Sequence, residues 1–440
     1  MKQGSGFPWR LRAVYSRDKK WSNVVAGGAC VVLGAALVGC GAPAQAAAKA
    51  THSPVTITLG GWTSSPVEAA LMAKELTYFE KAYPWIHVNY RPISGNYEAV
   101  LKTRFVAGDA PDVIYVNNGG QSSSFMKNGD LLPLNKYIKA SHFPLQDFFP
   151  GALNLFRYHG SVYGIPKDQS PLSLFYNPAM FRQAGIKSAP ATWAQFAADA
   201  HRLTNTKLHR YGLINSAQEP RWAEFLYEAG GSVMNPAMTQ MTLNTKAALQ
   251  GFSFFVNLYR NGSAALPGTV GASWGGQAFG MQRAGMVLSG NWLVPFLEQT
   301  YPKTPFAVVP MPKGPKNAET LTFPVAYGIT RDSTQPQASW DLIRYLTSRQ
   351  GMTKWMNLGL ALPARKSLLA LPYYKQHPVL KGLLTDLPRS IPWTFPAGFS
   401  QLSSTTMTNE TTLAIMGRET PAKALANMQQ GGMAILHSGS

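Results

Sequence analysis

Cysteine is almost absent: the 440 residues contain two, Cys30 and Cys40, and nothing after residue 40 carries a thiol. With Cys30 lost by processing, no intrachain disulfide is possible, and stability in an oxidising exterior must come from the core. Carboxylates are scarce as well. Asp and Glu number 21 against 40 Lys and Arg, for a net charge of +19, and the imbalance reflects missing acids more than added cations. The basic residues are scattered singly, without the clustering and interleaved aromatics of a nucleic-acid binder, so a nucleic-acid partner is not expected. A shortage of carboxylates suits an acidic exterior, where carboxylates that protonate cease to stabilise a fold. The eight histidines include no pair at i, i+2 or i+4, which argues against metal capture; no cofactor or metal is expected. Internal repeats and long low-complexity tracts are also missing.

What is present begins with a charged start. Residues 1–23 carry Lys2, Arg10, Arg12, Arg17, Lys19 and Lys20 with few acids, and the 15 residues Val24–Val38 that follow are uncharged. That is the order of an export signal, and the run is shorter and richer in glycine than the roughly 20 apolar residues of a spanning helix. It closes on LVGC, Leu37 to Cys40, which resembles a bacterial lipobox. The resemblance implies that cleavage leaves a lipidated Cys40 as the first residue, an anchor and not a nucleophile. Ordinary cleavage between Ala42 and Ala48 is the competing reading. Residues 40–53 are small and polar and suit a tether. The signal holds six of the cations and one acid, which leaves a body near +14. That body, about 400 residues, is long enough for two domains with a large core.

The body opens on VTITLGGW, where Val55, Ile57 and Leu59 alternate as in a strand. Ser65, Pro66 and Glu68 then form a capping box with proline at the first helical position, ahead of apolar residues at helical spacing. HVNYRPI, NYEAVLKTRFVAG and PDVIYVN continue as strand, helix opened by Asn96, and strand. This alternation implies a parallel sheet with crossover helices and a ligand beyond the carboxyl ends of its strands. A second α/β region follows YGIPKDQSPLSLFYN: a helix opened by Thr192 and Gln195, the strand YGLINS, the helix EPRWAEFLYEAGG, and the strands AGMVLSGNW, FAVVPMP and VAYGITRD. Residues 337–357 and 398 onward read as helical. The glycine-rich GASWGGQAFG lacks the ending of a phosphate loop and reads as a flexible connection.

In order and spacing these segments resemble the type 1 extracellular solute-binding proteins of bacterial ABC importers, of the maltose-binding kind. The resemblance rests on WTSSPVE, AGDAPDVIYVN, NGDLLPLNKYI, YGIPKDQSPLSLFYN, ATWAQF, AGMVLSGNW, VVPMPKGP, YGITRDS and LALPARKS. It implies an α/β, two-lobed, periplasmic-binding-protein-like fold of type II, each lobe a sheet flanked by helices, with three hinge crossings. The expected division is a signal peptide at 1–39, a tether at 40–53, lobe one at 54–170 plus 325–376, and lobe two at 171–324 plus 377–437. The implied partners are a small-molecule carbohydrate and the transmembrane subunits of an ABC permease. The implied state is a lipid-anchored monomer on the outer face of the cell membrane.

A sugar needs aromatic faces for its C–H patches and planar polar groups for its paired hydroxyls. Candidates after the first strand are Trp62, Ser64 and Ser65; after the third, Asn117, Asn118 and Gln121. The latter three stand where the maltose-binding kind has an aromatic residue and charged hydroxyl binders, so a preference for maltose is not expected. The resemblance also implies Asp168 at the first crossing, Glu219 as a ligand carboxylate with Trp222 on or beside a stacking position, and Trp292 in the small-Gly-x-Trp turn of SGNW. Tyr327 and Trp393 are further cleft candidates, and Arg365 is either a ligand contact or a surface ion-pair former. Two other readings compete: a glycoside hydrolase using Asp168 and Glu219, and a binder of another polar solute. A phosphodiester would call for cleft arginines such as Arg221 or Arg365.

Overall fold

The computed structural model describes residues 52–62, 66–94, 96–117, 120–356 and 362–438. The signal, Cys40 and most of the tether therefore lie outside the described residues, as do Ser64, Ser65 and Asn118. Twelve strands matter to the site. In chain order they are β1 (Val55–Gly61), β2 (Ile86–Pro92), β3 (Val113–Val116), β4 (Ile165–Asp168), β5 (Ser173–Tyr176), β6 (Tyr211–Ile214), β7 (Ala264–Ala265), β8 (Ala284–Ser289), β9 (Ala307–Val309), β10 (Thr320–Thr322), β11 (Val325–Ile329) and β12 (Ser390–Pro392).

They form two five-stranded sheets, ordered β2-β1-β3-β11-β4 and β9-β5-β8-β6-β7. In the first, β1 runs parallel to β2 and β3, as the βαβαβ pattern requires. Strand β11 enters antiparallel between β3 and β4, so the sheet is mixed where a parallel one was expected. The second sheet is mixed too: β8 is parallel to β6 and antiparallel to β5. The local signals behind these elements are visible as bonds. Asn96 accepts the Ala99 N–H at 3.1 Å to open helix Tyr97–Ala107, and Thr192 caps helix Trp193–Leu203 through Gln195 N–H at 3.3 Å. Glycine-rich GASWGGQAFG is an ordered turn and not a flexible connection. Residues Gly275–Gly280 are helical, and a Cβ on Gly276 would lie 2.2 Å from the Trp274 ring.

Each sheet has its own core. Ile57, Leu59, Val113–Val116, Phe79 and Trp340 are buried around the first, and Trp222, Phe252, Phe255 and Met286 around the second. The chain passes between them three times: at β4 to β5, at β10 to β11, and between Leu368, buried with the first core, and Tyr374 of helix Pro372–Gln376, buried with the second. The crossing segments bond to one another. Leu172 N–H donates to Leu321 C=O at 2.8 Å, Phe323 N–H to Ser170 C=O at 3.0 Å, and Gln169 exchanges backbone bonds with Leu362 at 2.9 and 3.0 Å. Parallel β10–β12 pairing adds a fourth segment to this small ladder.

Candidate functional site

In both sheets the carboxyl ends of the parallel strands open on one cleft of about 370 Å3 between the lobes. The chain leaving β1 supplies Trp62, and the chain leaving β3 supplies Asn117. Lys167 and Asp168 come from the end of β4, Glu68 from the first turn of helix Pro66–Ala82, and Trp355 from helix Arg349–Met356. The facing wall is built from Pro220, Arg221, Trp292 and Trp393, and the crossings add Ser170, Phe323 and Val325. Four tryptophans and a phenylalanine therefore border a space that also holds two cations and two carboxylates.

On the lobe-one wall the charges are tied together. Lys167 and Asp168 are both buried and in direct contact, and Trp355 Nε1–H donates to Asp168 Oδ2 at 3.1 Å. The Lys167 ammonium lies over the Trp355 ring at 4.4 Å and the Tyr115 ring at 4.9 Å. Such a cation, bounded by aromatic faces and a carboxylate, is held as a fixed part of the wall. Trp62 is braced edge-on against Tyr97 and Tyr115, with ring centroids 5.0 and 5.1 Å apart.

The lobe-two wall is aromatic. Trp292, Phe323 and Trp393 follow one another at 5.9 and 5.7 Å between centroids, a row that spans the second crossing. The turn that aims Trp292 depends on Gly290, where a Cβ would stand 2.1 Å from the indole ring. Trp393 is fixed from behind: its Nε1–H donates to Glu219 Oε2 at 2.7 Å, and Glu219 itself is wholly buried. Burial pushes the Glu219 carboxyl up to about 8, against the pull of Trp393 and Arg221. Arg221 ends the short turn Glu219–Arg221, with its guanidinium carbon 6.0 Å from the centre of the Trp292 ring.

The bacterial extracellular solute-binding protein family model matches residues 61–353, about two thirds of the chain. The chain belongs to that family. Among curated relatives, the multiple sugar-binding protein of Streptococcus mutans is 22% identical over 335 residues, covering 72% of this chain and 77% of its own. An ABC substrate-binding protein of Listeria monocytogenes, solved with cycloalternan, superposes with a TM-score of 0.79 at 22% identity over 88% of this chain and 100% of its own. UgpB of Mycobacterium tuberculosis, solved with glycerophosphocholine, does so at 0.77 and 18%, over 88% and 100%. The likeness establishes the two-lobed periplasmic-binding-protein-like fold.

Within this solute-binding protein, Trp62, Asn117, Asp168, Trp292 and Trp393 converge on the cleft as named from sequence. Five other candidates stand elsewhere. Trp222 is fully buried, edge-on to Phe252 at 5.1 Å, because the short turn before it rotates the next residue inward; Arg221 and Pro220 take the cleft positions. Tyr327 lies in the middle of the first sheet, packed edge-on against Tyr115 at 5.4 Å, beneath the wall and not on it. Gln121 is buried in the helix after β3, where its Oε1 accepts the Asn117 N–H at 2.9 Å. Glu219 touches the cleft only through Trp393. Arg365 is neither a ligand contact nor a surface residue: it is buried over Phe148, donating to Asp147 at 3.0 Å and Thr347 C=O at 2.7 Å.

Sequence reasoning missed Glu68, Lys167, Phe323 and Trp355. Lys167 was one residue from a named candidate. Phe323 adjoins the crossing that leads into VAYGIT, so a rule that searched both sides of each crossing would have found it. Trp355 sits in a helix whose pattern signals only burial. Residues 271–275, GASWG, have the spacing of a serine nucleophile turn, but Ser273 Oγ–H donates to Gln277 Oε1 at 2.7 Å, an exposed helix-end bond, and Ser273 does not line the cleft. Among the described residues no group of three His, Cys, Asp or Glu side chains is placed to hold a metal, and no helix is long and apolar enough to cross a membrane.

Proposed function

We propose that this solute-binding protein captures a carbohydrate, an oligosaccharide of modest length, in the interlobe cleft and delivers it to an ABC permease. The observation that carries the reading is the pairing of Trp62 and Trp355 on one wall with Trp292 and Trp393 on the other. Flat indole faces match the C–H faces of sugar rings, and Asn117, Asp168 and Ser170 offer the few placed polar groups such a cleft needs. The sugar-bound Listeria relative and the sugar-binding Streptococcus relative support the same class. In this reading the lobes divide at 170/171 and 324/325, and the third division falls between Leu368 and Tyr374 in place of the expected 376/377. Closure of one lobe on the other follows from contacts that the ligand makes with both walls at once.

The protein works without catalysis in this reading. Hydrolysis of a glycoside needs two carboxyl groups flanking one bond, and Asp168 is engaged by Lys167 and Trp355 while Glu219 lies behind Trp393. Cys40 carries the lipid that keeps the receptor beside its permease, as a monomer on the outer face of the membrane. Cys40→Ala should leave ligand binding unchanged and move the protein from the membrane fraction to the medium; unchanged retention would overturn the anchor.

The deciding experiment is a thermal-shift panel of mono- and oligosaccharides, glycerophosphodiesters and polyamines. A ligand at about 100 times its Kd adds roughly 2.7 kcal/mol of stability. Oligosaccharides should raise the midpoint, and Trp292→Ala should abolish the shift. A response to phosphodiesters alone, with no saccharide active, would overturn the carbohydrate assignment.

A further inference from the structure

Arg221 is placed unlike two other enclosed arginines, Arg365 and Arg389. Arg365 is paired with Asp147 at 3.0 Å, and Arg389 donates to Asp386 through Nε at 2.9 Å. The Arg221 guanidinium makes no hydrogen bond and no ion pair with any described residue, and its Nη1 is shielded from solvent without a partner. Its own turn is fixed, since the backbone N–H of Arg221 donates to Gln218 C=O at 2.9 Å. A half-buried cation without an acceptor is costly to the free protein.

The acids near it relieve only part of that cost: Glu224 and Glu219 favour the charged guanidinium through space but do not hydrogen-bond to it. Glu219 gives one carboxylate oxygen to Trp393, and neither oxygen of the fully buried Glu224 has a hydrogen-bond partner. Burial raises both carboxyls to about 8, so at neutral pH both are mainly uncharged. Behind them Asp386 is engaged by Ser173, Arg389 and Met311 N–H, and Glu228 by Trp193. Across the cleft Lys167 is closed onto Asp168, and Glu68 stands on the far wall. The lobe-two wall therefore presents one guanidinium without a hydrogen-bonding acceptor beside the face of Trp292.

We propose that the captured solute bears an anionic group, a carboxylate or a phosphate, which Arg221 receives while the aromatic row holds the neutral body of the molecule. A planar guanidinium offers parallel N–H donors that match two oxygens of either group. The inference rests on the carbohydrate reading and narrows it to acidic saccharides such as uronate-containing oligosaccharides or sugar phosphates.

The test is calorimetric titration of the full chain with matched ligands: neutral oligosaccharides, their uronate counterparts, sugar phosphates and glycerophosphodiesters. Each is titrated into wild type, Arg221→Gln and Arg221→Lys. The acidic saccharide should bind about 10- to 100-fold more tightly than its neutral counterpart. Arg221→Gln should erase that ratio, and Arg221→Lys should restore part of it. Because glutamine removes an unpaired cation, the ligand-free melting midpoint of Arg221→Gln should be unchanged or raised. Raising the pH from 7 to 9 should weaken binding of the acidic saccharide, as Glu219 and Glu224 ionise beside Arg221, and leave the neutral one unaffected. Equal affinity for neutral and acidic saccharides, untouched by Arg221→Gln, overturns this proposal and leaves the carbohydrate reading standing. Binding of glycerophosphodiesters alone, lost in Arg221→Gln, supports the anion site and overturns the carbohydrate reading. No binding by any of the four classes overturns both.

Discussion

Single residues in this protein separate into those that face the ligand and those that hold them. Arg365 illustrates the second kind. Its guanidinium lies 4.4 Å from the centre of the Phe148 ring and ties Asp147 to the carbonyl of Thr347, which joins helix Pro336–Leu346 to the loop at residue 147. Ser367 also caps Asp147, from its hydroxyl at 2.7 Å and its N–H at 3.0 Å. Although burial pushes the Asp147 carboxyl up, the bonds from Ser367 and Arg365 outweigh it and hold the carboxyl below its usual range. Removing one partner of a buried ion pair costs about 3–5 kcal/mol, and the partial exposure of Asp147 reduces that toward about 2–3 kcal/mol. Arg365→Met should therefore lower the unfolding free energy from urea titration by that amount while the ligand Kd stays within about twofold. A large loss of affinity in a variant of normal stability would place Arg365 in the ligand's reach and contradict its position in the core.

Elements show where sequence signals reach and where they stop. The strand at Val55–Gly61 was legible because alternation of buried Ile57 and Leu59 is a local signal, and the helices opened by Asn96 and Thr192 because a cap bonds three residues ahead. Trp62, Asn117 and Trp292 were legible for a related reason: residues just past the carboxyl ends of parallel strands face the ligand whatever the rest of the chain does. The insertion of β11 between β3 and β4 has no such signal, because it pairs Ala326 with Val116 more than 200 residues away. Val325, which opens that strand, was hidden for the same reason. Trp222 failed on phase alone. The tight turn Glu219–Arg221 ahead of helix Ala223–Glu228 gives Pro220 and Arg221 to the cleft and Trp222 to the core.

At the scale of the whole molecule, the few acids are distributed in an unusual way, with four of them, Glu219, Glu224, Glu228 and Asp386, fully buried in lobe two. Burial is the leading cause in each case: it raises Glu219 and Glu224 to about 8, Asp386 to about 6, and Glu228 well above its ordinary value. A carboxyl whose folded pKa exceeds its unfolded value binds more protons when folded, so its contribution is complete below the unfolded value and is lost as pH rises through the folded one. Asp147, whose pKa is lowered, works in the opposite sense, but only as pH falls below the ordinary carboxylate range. Between about pH 4.5 and 8 the raised group governs, and unfolding free energy should increase as pH is lowered. From pH 8.5 to 5.5 the gain should be on the order of a few kcal/mol, less than the sum of single residues because Glu219, Glu224 and Asp386 interact. Urea unfolding at the two pH values checks this. A higher midpoint at pH 5.5, flattened in the Glu219→Gln, Glu224→Gln double variant, is the expected result. A midpoint that rises with pH would instead mean that these carboxyls are ionised and paired in the folded protein, and would remove the physical link between the scarcity of acids and an acidic exterior.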